Sequence, residues 1–137
     1  MELNTYKYNY HLIGTKPSHT MIGNKIYQIE VHDYKLLSKH DFLILAVDNL
    51  VSKSIVNYCL TNNLDITIKN NSFQFRMGES VPLIIPEINS HDLDTAKFKN
   101  QKTKLISNSN CVSRIVYMGL HPLLNLGKIK SLVISTY

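Results

Sequence analysis

The feature that most constrains the fold is an uninterrupted apolar run from Phe42 to Val47 (FLILAV). This run is far too short to cross a bilayer, and it is typical of a parallel strand covered on both faces. An amphipathic helix is predicted to follow, from about Leu50 to Thr61, and Asn62 with Asn63 supplies its stop. The apolar stripe of that helix consists of Val51, Ile55, Cys59 and Leu60. A buried strand followed by such a helix indicates an α/β fold.

Other segments continue this alternation. Strands are predicted at Tyr8–Ile13, Lys25–Val31, Leu64–Ile68, Leu83–Ile85, Leu105–Ser107 and Ser131–Thr136. Leu83–Ile85 lies between two prolines and is therefore expected at a sheet edge. A second helical stripe follows Cys111 and consists of Ile115, Val116, Gly119, Leu120 and Leu123. The order predicts an incomplete, doubly wound, Rossmann-like α/β fold with a mainly parallel sheet, in which Asn89 to Lys104 is the linker candidate.

The charge of the chain separates some classes of function. The net charge is +5, but the basic residues are scattered and only Lys97, Lys99, Lys102 and Lys104 cluster. These four lie in a polar stretch without interleaved aromatic residues, so a solvated basic surface is favoured over a nucleic-acid site.

The N-terminus lacks the basic and apolar regions of an export signal, and no segment is long enough to span a membrane. The expected location is therefore cytoplasmic.

The cysteines and histidines exclude further classes. Cys59 and Cys111 are far apart without CxxC spacing, and the six histidines show no paired-ligand spacing. Neither a disulfide framework nor a metal site is expected. Cys59 belongs to the stripe of a helix and is expected in the core.

Cys111 has a different local setting. It follows Asn108-Ser109-Asn110 and precedes an apolar helical stripe, so its thiol is predicted at a helix N-terminus. Free backbone N–H groups and the helix dipole there favour thiolate over thiol and can hold an oxyanion, with the Asn110 amide assisting. On local grounds alone, a structural cysteine is the more frequent outcome at such a place.

Several longer motifs change that balance. Ser107–Val112 (SNSNCV) is similar to S/A-N-P-N-C-T/S, Asn70–Met77 (NNSFQFRM) to D-N-S-S-A-F-R-M, and Val81–Asn89 (VPLIIPEIN) to V-P-L-V-V-P-E-V-N. Ile129–Tyr137 (IKSLVISTY) resembles I-K-R-V-V-V-S-T-Y, and Asp41–Lys53 aligns without gaps to D-I-A-L-F-S-A-G-G-S-V-S-K. In this order and at this spacing, the chain resembles the aspartate-semialdehyde dehydrogenase family, most specifically from Val81 to Tyr137.

The resemblance implies a reaction and roles for named residues. Members convert aspartyl phosphate into aspartate semialdehyde with NADPH, in the route to lysine, threonine and methionine. Cys111 would attack the acyl phosphate, and the resulting thioester would accept hydride from the cofactor. Asn110 would help hold the oxyanion, Arg76 would bind the phosphate with its guanidinium fork, and Asn71 and Ser72 would contact NADP.

The resemblance also implies a domain division. Residues 1–107 correspond to part of the NADP-binding domain, and residues 108–137 to the start of the catalytic and dimerisation domain, with its nucleophile helix and first strand.

Some departures from the family pattern weaken the expected activity. The sequence has no GxGxxG or GxxGxxG, and the family's S-A-G-G turn is Ala46-Val47-Asp48-Asn49, which loses two glycines and adds a carboxylate. The family's D-N-S-S is Asn70-Asn71-Ser72-Phe73, with a bulky ring at the last position. The family's substrate-orienting glutamine, carboxylate-binding arginine and acid/base histidine have no counterpart here. We therefore expect negligible dehydrogenase activity from this chain alone.

Other interpretations stay open at this point. N-acetyl-glutamyl-phosphate reductases share the chemistry but usually have Gly before the nucleophile, so Asn110 favours the aspartate enzyme. The chain could be a half-protein that a homo- or hetero-oligomeric partner completes, a decayed remnant, or a nucleic-acid binder on the grounds of charge alone.

Overall fold

In a computed structural model of the chain, residues 9–135 are described, with all of their side chains except those of residues 96 and 97. The described residues form two compact units, the first ending at Leu36 and the second beginning at Leu37. Each unit contains its own β-sheet. The predicted functional division between residues 107 and 108 does not coincide with this boundary and stays a prediction.

The first unit contains a small three-stranded sheet. Its strands are β1 Leu12–Gly14, β2 Ser18–Ile22 and β3 Lys25–Val31, in the order β1-β3-β2. β1 pairs with β3 in parallel, and β2 with β3 antiparallel. Ile22 is opposite Lys25, which leaves Gly23-Asn24 as a two-residue hairpin turn. Gly23 has φ 60, a conformation that glycine adopts without steric cost.

The sequence-based prediction for this unit was partly right. The bounds of β3 are those predicted, but β2 was missed, although a Gly-Asn pair between two apolar segments is a hairpin pattern. The first predicted strand, Tyr8–Ile13, is formed only from Leu12 onward within the described residues, and Tyr8 lies outside them. β1 begins where it first finds a pairing partner, opposite Ile29.

The second unit contains a parallel sheet, as predicted. Its strands are β4 Phe42–Leu45, β5 Ile66–Asn70, β6 Leu83–Ile84 and β7 Thr103–Asn108, in the order β4-β5-β7-β6. Every neighbouring pair is parallel. The central strand β5 buries Ile66 and Ile68 completely. β6 lies at the edge of the sheet, where the two prolines beside it remove no ladder hydrogen bond.

The helices of the described residues connect these strands. They are α1 Tyr34–Leu37, α2 Asn49–Thr61, α3 Pro86–Asn89, α4 Ala96–Lys99 and α5 Cys111–Leu120, with 3-10 helices at Phe73–Phe75, Ser90–Asp94 and His121–Asn125. α2 matches its prediction and buries Ile55, Val56 and Cys59. The predicted linker from Asn89 to Lys104 is instead largely helical turns that lead into β7, because its backbone groups bond to each other.

Two further predictions were wrong. β4 is not covered on both faces, since Phe42 and Ile44 are 52% and 61% exposed while Leu45 is buried. β4 is an edge strand of its sheet, and the described residues place no layer over that face.

The second wrong prediction is the strand at Ser131–Thr136. Residues 131–135 form no strand and Thr136 lies outside the described part of the chain. β-branched residues favour a strand only where a partner strand is available, and Val133 is instead 94% exposed.

The connection from β4 to α2 is built without unusual backbone conformations. Asp48 has φ −63 and ψ 168, and its carboxylate accepts a hydrogen bond of 2.9 Å from the Val51 N–H, which caps α2. Within residues 9–135, positive φ values occur only at Gly23 and Asn63. The two glycines of the family's S-A-G-G turn are therefore not needed here for backbone geometry.

Replacing Asp48 with alanine is expected to lower the free energy of unfolding by about 1 kcal/mol, since the cap of α2 is lost. Urea unfolding of the full chain measures this. Asp65→Ala is the matched control, because Asp65 is an exposed aspartate ahead of β5, and it is expected to change stability by less than about 0.5 kcal/mol. Equal effects of the two substitutions would contradict the capping role.

Candidate active site at the carboxyl edge of the parallel sheet

The carboxyl ends of the parallel strands bring the predicted site residues to one edge of the sheet. β5 ends at Asn70 and β7 at Asn108, and Asn70 is paired with Ser107. The Asn71 N–H donates to the Leu45 carbonyl at 3.0 Å, which joins the loop after β5 to the end of β4. In open parallel sheets, ligands bind at this edge.

Cys111 is the first residue of α5, as predicted, and it is exposed. Asn110 is the N-cap, and its side-chain oxygen accepts a hydrogen bond of 2.8 Å from the Val112 N–H. The Asn110 carbonyl accepts from the Arg114 N–H and so begins the helical hydrogen-bond ladder. The Cys111 and Ser113 N–H groups have no acceptor among the described residues, and the positive end of the helix dipole lies beside the thiol.

The cap determines how Asn110 can assist. Its side-chain oxygen is used within the helix, so only its Nδ2 group is left to donate to a ligand. That is the group which the predicted oxyanion role requires. The location of Cys111 and Asn110 is thus confirmed, and their catalytic roles stay predictions.

Arg76 lies against the loop that carries Cys111. Its Nε donates to the Asn108 carbonyl at 3.1 Å, and its Nη2 donates to the Asn71 carbonyl at 2.9 Å. The Asn108 Nδ2 donates to the Asn71 side-chain oxygen at 3.1 Å. The guanidinium carbon is 5.9 Å from the centre of the Phe73 ring, within the range of a cation–π contact.

The two residues predicted to contact the cofactor differ in position. Asn71 is exposed at the sheet edge. Ser72 is buried, and its hydroxyl donates within a network that includes the Ser52 hydroxyl and the Asn70 side-chain oxygen. The structure therefore gives the Ser72 hydroxyl internal partners and not a surface position.

Three polar groups directly before Asn110 have no role in the sequence-based predictions. The Ser107 and Ser109 hydroxyls and the Asn108 side-chain oxygen are buried without a hydrogen-bond partner among the described residues. Buried polar atoms are normally paired, so such a cluster is unusual. Composition could not reveal it, because these serines are buried only once the end of β7 lies inside the sheet.

Several electrostatic features limit what this edge can bind. The N-terminus of α2 follows β4 at the same edge, and the Asp48 carboxylate already accepts a hydrogen bond there. A second anion at this helix end would be repelled by that carboxylate, and residues 9–135 contain no Gly-rich phosphate loop. These residues therefore do not fit the pyrophosphate of a dinucleotide.

Within residues 9–135, no three His, Cys, Asp or Glu side chains converge as metal ligands, and no helix is long and apolar enough to cross a membrane.

The two free cysteines have opposite environments. Cys59 is completely buried in α2, and burial raises the pKa of its thiol because the thiolate would lose its hydration. Cys111 is exposed at the start of α5. The accessible thiol is therefore the one at the start of α5, three positions after the Asn108 carbonyl that Arg76 binds.

Comparison with known proteins decides the family. The family model described as semialdehyde dehydrogenase, NAD binding domain, matches residues 9–96. The chain belongs to the aspartate-semialdehyde dehydrogenase family. It is 35% identical over 125 residues to the aspartate-semialdehyde dehydrogenase of Rickettsia bellii (strain RML369-C), which covers 91% of this chain and 34% of that protein. The enzyme of Helicobacter pylori (strain ATCC 700392 / 26695) is 31% identical over 116 residues, 83% of this chain and 31% of that protein.

Solved structures of the family share the fold. Aspartate semialdehyde dehydrogenase II of Vibrio cholerae, complexed with ASA, matches with a TM-score of 0.62 at 19% identity, over 84% of this chain and 37% of that chain. The Candida albicans enzyme with NADP matches with a TM-score of 0.54 at 22% identity, over 62% and 26%. The chain spans about a third of the length of the curated relatives it matches. The predicted Rossmann-like α/β fold is confirmed.

In native labelling with iodoacetamide near neutral pH, only Cys111 is expected to react at an appreciable rate. Cys59 is buried, has a raised pKa and becomes accessible only when the fold opens. It should therefore react more slowly than Cys111 by a factor of about 100 at least. Mass spectrometry of the peptides measures both rates in one sample. In urea the two cysteines should react alike, and comparable rates in the native chain would contradict this placement.

Proposed function

We propose that this segment supplies the nucleophile and the phosphate-binding arginine of an aspartate-semialdehyde dehydrogenase-like site. The family reaction is the NADPH-dependent reductive dephosphorylation of L-aspartyl 4-phosphate to L-aspartate 4-semialdehyde. The observation that carries the proposal is the hydrogen bond from Arg76 to the Asn108 carbonyl. This bond holds the guanidinium at Asn108, which lies three positions before Cys111, the first residue of α5.

The chemistry assigned to these residues is acyl transfer from phosphate to sulfur. The Cys111 thiolate attacks the carbonyl carbon of the acyl phosphate, forming a carbon–sulfur bond as the bond to the phosphate oxygen breaks. The Cys111 N–H and the Asn110 Nδ2 would stabilise the oxyanion of the tetrahedral intermediate. Phosphate departs with its negative charge beside Arg76, which has N–H groups left to hold two of its oxygens.

The later steps need groups that these residues do not supply. Nicotinamide provides the hydride chemistry in this family, and NADP is the cofactor we propose for it by relationship to the Candida albicans structure. No hydride step is assigned to this chain, because the Asp48 carboxylate lies at the α2 N-terminus and opposes phosphate binding there. We place the chemistry in the cytoplasm, which is supported by the two free cysteines.

A half-protein that a partner chain completes is the second candidate. The observation that favours it is the apolar surface of α5, none of whose residues is buried. Ile115 is 73% exposed, and Tyr117 and Leu124 are also exposed. Leu124 belongs to the 3-10 helix that follows α5, and exposed apolar residues grouped on neighbouring elements are typical of protein interfaces. The partner would be a second copy of this chain or another polypeptide that adds the missing substrate-orienting and proton-transferring groups.

Acetyl phosphate tests the acyl-transfer step without cofactor. We expect it to acylate Cys111 in the native chain and to release phosphate in equal amount, because nucleophile and phosphate site are both present. Mass spectrometry locates the thioester, and Cys111→Ala should abolish it while Cys59→Ala leaves it unchanged. Acylation of Cys111 at the same rate in the urea-unfolded chain would show a merely exposed thiol and would contradict the proposal.

Steady-state turnover by the purified chain is expected to be negligible. The assay is phosphate-dependent reduction of NADP with aspartate semialdehyde, followed by absorbance. Positioning and preorganised electrostatics provide most of the catalytic rate, and this chain retains only part of them. Measurable turnover that Cys111→Ala eliminates would contradict the half-site interpretation.

A further inference from the structure

We propose that Arg76 is a positioning residue for the segment that carries Cys111, in addition to being a phosphate ligand. Its guanidinium ties the Asn108 carbonyl, at the end of β7, to the Asn71 carbonyl in the loop after β5. Only the phosphate part of this inference rests on the proposed function. The tie between the two loops is a separate property of the fold.

The tie joins parts of the chain that are distant in sequence. Arg76 and Asn108 are 32 positions apart, and β5 and β7 are neighbouring parallel strands. The hydrogen bond from the Asn108 Nδ2 to the Asn71 side-chain oxygen runs beside the two guanidinium bonds. Hydrogen bonds from a charged donor are stronger than neutral ones, and the planar guanidinium fixes both directions at once.

Few other interactions hold this segment. The Ser107 and Ser109 hydroxyls have no partner among the described residues, so they add no polar tie. α5 buries none of its residues, so packing contributes little to its position. Besides β7 itself, the described ties are the Asn110 cap, the Asn108–Asn71 side-chain bond, the 4.0 Å ion pair of Arg114 with Glu87 and the guanidinium of Arg76. Removal of the guanidinium should therefore loosen the start of α5 selectively.

The remaining donors of Arg76 couple this tie to anion binding. Arginine has five N–H groups, and two are committed to backbone carbonyls, which leaves about three for a ligand. The exposed Phe73 ring centre lies 5.9 Å from the guanidinium carbon, within the range of a cation–π contact. An anion held by the free N–H groups would restrain the guanidinium further and, through Asn108, the loop that leads to Cys111.

The competing explanation is charge alone, and lysine separates it from geometry. Arg76→Lys keeps the positive charge but replaces a planar fork by a single ammonium group, which cannot reproduce both carbonyl bonds. Arg114→Ala is the matched control, because Arg114 lies on the first turn of α5 and its side chain forms an ion pair with Glu87, at 4.0 Å. It removes a positive charge near Cys111 without touching the tie.

The test is amide hydrogen exchange of the full chain by mass spectrometry, corrected for intrinsic rates. Arg76→Lys and Arg76→Ala are both expected to speed exchange of the hydrogen-bonded amides of Val112 and Arg114 by about tenfold, the equivalent of one hydrogen bond to a charged group. The amides of β5 should change by less than about twofold, and Arg114→Ala should leave the amides at positions 112 and 114 within the same limit. Exchange in Arg76→Lys equal to that of the unsubstituted chain would overturn the proposal. Acceleration shared equally by β5 would overturn it as well, since it indicates general destabilisation.

Inorganic phosphate provides a second measurement. It is expected to slow exchange of the Val112 and Arg114 amides by about twofold or more in the unsubstituted chain and not in Arg76→Ala. In one outcome, phosphate fails to slow exchange in the unsubstituted chain while the two Arg76 variants still exchange faster than that chain. This result would contradict the phosphate site of the proposed function and would leave the tie standing. A response that Arg76→Ala retains would overturn the coupling through Arg76.

Discussion

The parallel pairing of β5 with β7 is the interaction on which the rest of the site depends. It aligns Asn70 with Ser107, so the two loops that leave these strands emerge side by side at the carboxyl edge. Without that register, the loop that leads from β5 to Arg76 and the loop that leads from β7 to Cys111 would not lie side by side. Pairing is supported by the buried residues of the two strands, including Ile66, Ile68 and Leu105, which belong to the core of the second unit.

Polar side chains then hold the loops in place. The Ser52, Asn70 and Ser72 side chains satisfy each other inside the fold, and this anchors the start of the loop that leads to Arg76. Arg76 in turn contacts the end of β7. A buried network with satisfied partners specifies one arrangement, because any other would leave unpaired polar groups in the interior. The half-buried guanidinium is thus attached to a rigid base.

Two helix N-termini at this edge have similar caps with opposite consequences. Asp48 caps α2 and Asn110 caps α5, each through a side-chain oxygen that accepts from a backbone N–H. The carboxylate of Asp48 adds a negative charge and so opposes phosphate binding at α2. The amide of Asn110 is neutral and has an Nδ2 donor left, which favours an oxyanion at α5. The difference favours an anion at the N-terminus of α5 over one at the N-terminus of α2.

Local patterns in the sequence were enough to predict the family, the parallel α/β class, the bounds of β3 and the position of Cys111 at a helix N-terminus. These depend on local patterns: alternation, apolar stripes, a cap residue and motifs of a few residues. Three features could be seen only in the tertiary structure. β4 lies at a sheet edge with one face open, residues 131–135 pair with no strand, and Ser72 is buried. The tertiary structure also decided that Arg76 bonds to the loop of Cys111. The reason is physical, because burial and hydrogen-bond partners are supplied by segments distant along the chain, and no local pattern in the sequence specifies them.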